Sequence, residues 1–267
     1  MMEEARTLLR RIGEAGDGPH DIARAALMLS ALDHPDAPLE LFAKHLDDIA
    51  ESMRKQASRF RRIADGAGAL SHLLSTKFAY DGDRMTYDDP KNADLITVIE
   101  RRRGLPVTLG ILYMHAARAG GMSASGLNTQ GHFLVRIGLR HDDLTIDPFN
   151  GGAVLEGGQA IPKALGDAHL AEPVGDTDVL LRLQNNLKMR ALDAGKTERA
   201  MEIASRMVTI APRRGELWFD LARLNEAVGV LGAARRAYER CLDLAAKGEP
   251  LHNEAAVLLT DLKRRLN

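Results

Sequence analysis

The stretch Gly131–Gly152, GHFLVRIGLRHDDLTIDPFNGG, decides how this chain is read. Its two runs HFLVRIGL and DLTIDPF are rich in β-branched and aliphatic residues and are joined by polar residues around Arg140–Asp142, which signals a hairpin. His132 opens the first strand, and Asp147 stands at the end of the second, before a Pro-Phe-Asn-Gly-Gly turn. Residues on one face of a hairpin are two apart along each strand and pair across it. A register whose paired numbers sum to an odd value such as 281 sets His132 opposite Phe149 and diagonally beside Asp147, on one face. An even sum sends the two side chains to opposite faces, and the sequence leaves both registers open. On one face, the pair is the half of a catalytic triad in which a carboxylate orients an imidazole and stabilises its charged form. The same residues also suit a purely structural role, with the histidine satisfying buried polar groups and the aspartate bracing the turn.

The surroundings of the hairpin set the fold class. Upstream, Ala, Leu and Arg recur at helical spacing through Glu4–Ile12, His20–Leu32, Leu39–Arg62 and Ala69–Lys77, with GDGP, DHPDAP and DGAG as breaks. The segment FAYDGDRMTYDDPKNADL reads as a structured loop feeding a helix from about Asn92 to Arg102. A further helix follows in RGLPVTLGILYMHAARAGG, with Pro106 in its first turn and Gly120-Gly121 at its end. Strands are expected in MSASGLNTQ, in the two arms of the hairpin and in AVLEGGQ. The expectation is an α+β protein: a helical N-terminal layer, a small antiparallel sheet, then an all-α module.

That module shows an internal repeat. Leu187, Gly195, Ala200, Met207 and Pro212 match Leu221, Gly229, Ala234, Cys241 and Ala246 at an offset of 34 residues, the tetratricopeptide period. Trp218, Leu221, Ala222, Ala234 and Tyr238 stand at repeat signature positions, while Asn225 replaces the usual first-helix tyrosine. Two repeats and a closing helix, Asn253–Leu266, fill the end of the chain, which gives domains of 1–170 and 171–267. From Thr177 onward there are 16 basic and 12 acidic residues, against 20 and 25 before it, so the module is mildly basic; this suits an acidic protein or peptide segment, and solvated helix faces account for the same excess.

Composition narrows the chemistry. A net charge of −1 gives no global field toward nucleic acid or an anionic membrane. The acidic N-terminus MMEEARTLLRR is unlike a signal peptide and no long uncharged apolar run occurs, so a cytoplasmic protein is expected. Cys241 is the only cysteine, which excludes an intramolecular disulfide and a CxxC zinc site. No HExxH, His-x-His, P-loop or dinucleotide fingerprint occurs, so no cofactor or metal is expected. The sequence assigns no oligomeric state.

The motifs RRGLPVTLG (Arg102–Gly110), GHFLVR (Gly131–Arg136) and DPFNGG (Asp147–Gly152), with the preceding YDDPKNADL, resemble those of the SirB-type bacterial family. That family has a transglutaminase-like core of papain-like fold, often followed by tetratricopeptide repeats, and the resemblance covers about residues 20 to 265. It implies a cysteine at a helix N-terminus, then a histidine and an aspartate on successive strands. His132 and Asp147 take the last two places, but the helix start reads Leu105-Pro106-Val107-Thr108, so the thiol is missing. Thr108, 24 residues before His132, is the nearest hydroxyl. A thiol beside a histidine at a helix terminus is already ionised at neutral pH, whereas a threonine hydroxyl gains nothing comparable from the helix end. The expectation leans toward a pseudoenzyme that acts as a protein-interaction or regulatory module through its repeats. The alternative is a hydrolase or acyltransferase using Thr108, His132 and Asp147. Tyr87, Asn92, Arg102, Pro106 and Asn150 are the residues expected to line the associated ligand cleft, although a helix-end role for Arg102 and a turn role for Asn150 fit the sequence as well.

Overall fold

A computed structural model describes residues 2–129, 132–155 and 172–266. Gly131 of the GHFLVR motif, the end of AVLEGGQ and the expected domain boundary at 170/171 lie outside the described residues. The residues cluster into two compact units, Met1–Leu8 with Asp17–Leu183 and Leu9–Gly16 with Gln184–Asn267. In chain order the helices are α1 (Met2–Ala15), α2 (Ile22–Ala31), α3 (Leu39–Ala57), α4 (Ile63–Ser71), α5 (Leu95–Arg101), α6 (Pro106–Ala119), α7 (Asp176–Asp193), α8 (Thr197–Ile210), α9 (Gly215–Ala227), α10 (Leu231–Leu244) and α11 (Pro250–Leu266). The strands are β1 (Asp81–Gly82), β2 (Arg103–Gly104), β3 (Ser123–Thr129), β4 (His132–Leu139), β5 (Asp142–Asp147), β6 (Ala153–Leu155) and β7 (Pro173–Val174).

The first unit is the α+β part. Its main sheet runs β6-β5-β4-β3-β7, every pair antiparallel, and β1 and β2 form a separate parallel two-residue pair. The hairpin takes the odd register: Val135 pairs with Ile146 and Leu139 with Asp142, each pair summing to 281. Helix α6 is buried on nearly every side, from Pro106 through Met114. Its close docking on the sheet depends on two glycines. A Cβ on Gly110 would lie 2.5 Å from the Phe133 ring, and one on Gly126 in β3 would lie 2.5 Å from the far side of the same ring. Phe133 is therefore wedged between two bare backbone positions, one on the helix and one on the neighbouring strand.

One boundary differs from expectation. The DGAG segment does not break a helix; it lies inside α4, and the break falls at Ser58–Arg62 instead. The physical reason lies across the fold: a Cβ on Gly66 would come within 2.4 Å of the Met122 sulfur, so the glycine permits close packing rather than a turn. Helix α4 then runs into a π-helical turn, His72–Lys77, where the Phe78 N–H reaches back to the Leu73 carbonyl at 2.9 Å. The start of α7 is tied to the same unit by a partly buried charge pair. Arg118 donates to both oxygens of Asp176, each at 2.7 Å, and Asp176 also accepts from the His20 backbone N–H at 2.8 Å.

In the second unit the repeat reappears in the hydrogen bonding. Gly195 and Gly229 both take positive φ, 68° and 79°. The Lys196 N–H bonds the Ala191 carbonyl at 2.8 Å, as Val230 bonds Asn225 at 2.8 Å, and Ala211 bonds Met207 as Ala245 bonds Cys241. Ala200, Ala234 and Cys241 have no exposed surface. Each helix pair thus turns by the same αL device, which only glycine adopts without strain. Asn225, in place of the usual tyrosine, is buried and donates to the Leu221 carbonyl at 2.8 Å.

Gly110→Ala is expected to destabilise the chain by about 1–3 kcal/mol, because the Phe133 ring has nowhere to move. Urea unfolding of the full chain measures it; unchanged stability would mean that the Phe133 ring can shift and that the close docking of α6 on the sheet does not depend on Gly110.

Candidate functional site

The site forms where β4 begins and β5 ends. Because the register is odd, His132 and Asp147 share a sheet face, and His132 Nε2 lies 2.9 Å from Asp147 Oδ1. The Asp147 carboxylate is almost fully committed. It accepts the Phe149 N–H at 3.0 Å, the Asn150 N–H at 3.3 Å and the Asn150 side-chain amide at 2.6 Å, capping the 3₁₀ turn Pro148–Asn150. Burial acts to raise its pKa, but the His132 contact together with the Asn150 and Phe149 donors more than offsets this, so the carboxyl lies below its ordinary value. One carboxylate thus contacts the imidazole and braces the turn. The start of β4 is held from α7, where Arg182 donates to the His132 carbonyl at 2.7 Å and lies 5.6 Å over the Phe133 ring.

Thr108 is elsewhere in the packing. Its side chain is fully buried in the first turn of α6, and its hydroxyl donates to the Asn92 carbonyl at 2.8 Å. Asn92 is also fully buried, and its amide donates to the Thr86 carbonyl at 2.6 Å. Pro106 is buried in the same turn. The structure therefore places Thr108, Asn92 and Pro106 in one internal cluster that closes the start of α6.

Of the remaining cleft candidates, Tyr87 and Asn150 are gathered near His132. Phe149 lies between them, meeting Tyr87 edge-on at 5.8 Å and His132 edge-on at 6.0 Å. Arg102 points to a different group. It adopts a left-handed backbone at the end of α5 (φ 58°), donates to His45 Nε2 at 2.7 Å and to the Tyr80 hydroxyl at 2.6 Å, and covers the Tyr80 ring at 4.8 Å. An imidazole nitrogen that accepts from a guanidinium has to be neutral. Burial, and then the Arg102 charge, push the His45 pKa down to about 4, with Asp48 opposing. Burial pushes the Tyr80 hydroxyl well up.

Two residues that sequence patterns did not single out organise the loop beside the site. Asp83 accepts the Thr86 N–H at 2.8 Å, its hydroxyl at 2.6 Å, the Met85 N–H at 3.1 Å and Arg101 at 3.1 Å. The Thr86 bonds, ahead of the opposing effect of burial, lower its pKa to about 2. Arg84 stacks over Phe149 at 5.0 Å and donates to its carbonyl at 3.0 Å. The DGDR segment hinted at Asp83 as a turn former, but nothing local indicated that Arg84 would meet a residue 65 positions away.

The chain belongs to the transglutaminase-like superfamily, whose core matches residues 40–185, and a tetratricopeptide repeat matches residues 187–260. It is similar to a UPF0162 protein of Xylella fastidiosa strain 9a5c, with 27% identity over 230 residues covering 82% of each chain. A UPF0162 protein of Pseudomonas aeruginosa is 27% identical over 209 residues, 73% of each chain. A shorter match of 82 residues, 30% identical, covers 31% of this chain and 13% of mouse F-box only protein 21.

The His45 group gives a pH dependence. With a folded pKa of about 4 and an ordinary value of 6.5, the unfolded chain binds the proton first. Its contribution to stability is complete above pH 6.5 and is lost as pH falls through 4. His45→Gln is expected to flatten the pH dependence of the urea midpoint over that interval. An unchanged slope would locate the acid sensitivity elsewhere.

Proposed function

We propose that this chain is a non-catalytic, SirB-type member of its superfamily that acts as a protein-interaction or regulatory module through its repeats. One observation carries the reading: the hydroxyl nearest to the position of the missing thiol is fully buried and bonded to the Asn92 carbonyl, while His132 and Asp147 pair without it. A general base needs a proton within hydrogen-bond reach, and a hydroxyl turned into the core does not present one. On the repeat side, a groove of about 250 Å³ between α8, α9 and α10 is lined by Met201, Trp218, Leu221 and Arg236. Apolar walls with one exposed guanidinium suit an amphipathic, acidic segment of a partner.

The second reading, a hydrolase or acyltransferase using Thr108, is favoured by a single feature, the intact His132–Asp147 contact. Incubating the full chain with p-nitrophenyl acetate and mapping acyl adducts by mass spectrometry separates the two. The expected outcome is no adduct at Thr108 and the same background release from His132→Ala. An adduct at Thr108 that disappears in His132→Ala would establish the enzyme.

The interaction arm has its own test. A partner recovered with the wild-type chain should be lost from Arg236→Glu and retained by His132→Ala. Equal recovery by Arg236→Glu would remove the groove from the proposal.

A further inference from the structure

The first unit also carries a cavity of about 510 Å³ whose lining includes Ser75, Ala79, Asp81, Arg84, Arg103 and Asn150. Three departures from regular backbone geometry meet around it. Ser75 lies in the π-helical turn, Ala79 has φ 58°, and Arg102, next to Arg103, has φ 58°. Left-handed backbone is strained for a residue with a side chain, and such strain, like π-helical turns, concentrates at functional sites. Here it is held in place by the Tyr80 N–H on the Leu74 carbonyl at 2.9 Å and the Asp81 N–H on the Arg102 carbonyl at 3.1 Å.

The charges in the lining do not cancel. Arg84 is held by the Asn150 side-chain oxygen at 2.7 Å, the Phe149 carbonyl and the Asp81 carboxylate at 3.3 Å. Arg103 is exposed and donates to two backbone carbonyls, Ala79 at 3.2 Å and Arg102 at 3.0 Å; among the described residues it forms no ion pair with a carboxylate. Asp81 offsets one guanidinium, which leaves one positive charge for a ligand to meet.

We infer that this cavity binds a carboxylate, held by the Arg103 guanidinium together with the Ser75 hydroxyl. The planar fork of arginine matches a carboxylate in shape and charge. A singly charged group balances the lining, whereas a phosphate near −2 at neutral pH would also face Asp81. A free small carboxylate and the C-terminus of a peptide both carry this chemistry. Asn150, also in the lining, accepts from Arg84 at 2.7 Å and donates to Asp147 at 2.6 Å.

The test is calorimetric titration of the full chain with acetate, N-acetyl-trialanine, its C-terminal amide and inorganic phosphate. Saturable binding of a carboxylate is expected, with no binding of the amide. Affinity should fall by about tenfold or more in Arg103→Gln, the scale of a charge-assisted hydrogen bond. Acetate binding as well as the peptide identifies the small-molecule source, and selective peptide binding identifies the chain terminus. Arg103→Gln removes only bonds to two carbonyls, and an unchanged melting temperature verifies its fold; Ser75→Asp, which places an anion in the cavity, should abolish binding independently. Absence of saturable carboxylate binding, affinity equal in Arg103→Gln, or phosphate binding more tightly than either carboxylate would overturn the inference.

Discussion

The first unit depends on one steric constraint, the Phe133 ring held between Gly110 and Gly126. A side chain at either glycine would push α6 away from β3 and β4. Strand alternation then does the rest: with Phe133 turned to the helix, His132 has to face the other side, the side on which the odd register places Asp147. The wedge that buries the core also aims the histidine.

Asp147 shows how far structural and functional readings overlap at such a position. Its carboxylate accepts from His132, from two backbone N–H groups and from the Asn150 amide. A group this fully satisfied holds the turn whether or not any chemistry takes place. The same is true of the internal cluster at the start of α6, where Asn92 and Thr108 close a helix end with polar groups that lack access to solvent. The polar residues of the family motifs therefore serve the fold directly, and a retained motif is weak evidence of retained catalysis.

The sequence was most legible where the signal was local and periodic. The 34-residue offset, the glycines at its turns, the proline at the start of α6 and the hairpin arms were all readable, because capping, turn formation and strand alternation act over a few residues. It was least legible where distant segments met. The glycines of DGAG read as a helix break because their partner, Met122, lies far along the chain. The N-terminus of α5 is capped partly by the Ser30 hydroxyl, 65 residues upstream, which accepts the Leu95 N–H at 2.7 Å. Arg102 read as a helix-end charge, and its companions His45 and Tyr80 come from two other segments.

By itself, then, the amino-acid order determined the kinds of element, the repeat, and the absence of a cysteine where the transglutaminase-like pattern would place one. Tertiary structure decided the register of the hairpin, the burial of Thr108 and the separation of Arg102 from the His132 group. The reason is physical. Parity in a strand specifies only which residues share a face, while which face, and against what, follows from contacts such as Phe133 with Gly110 and Gly126 that exist only once the chain has folded.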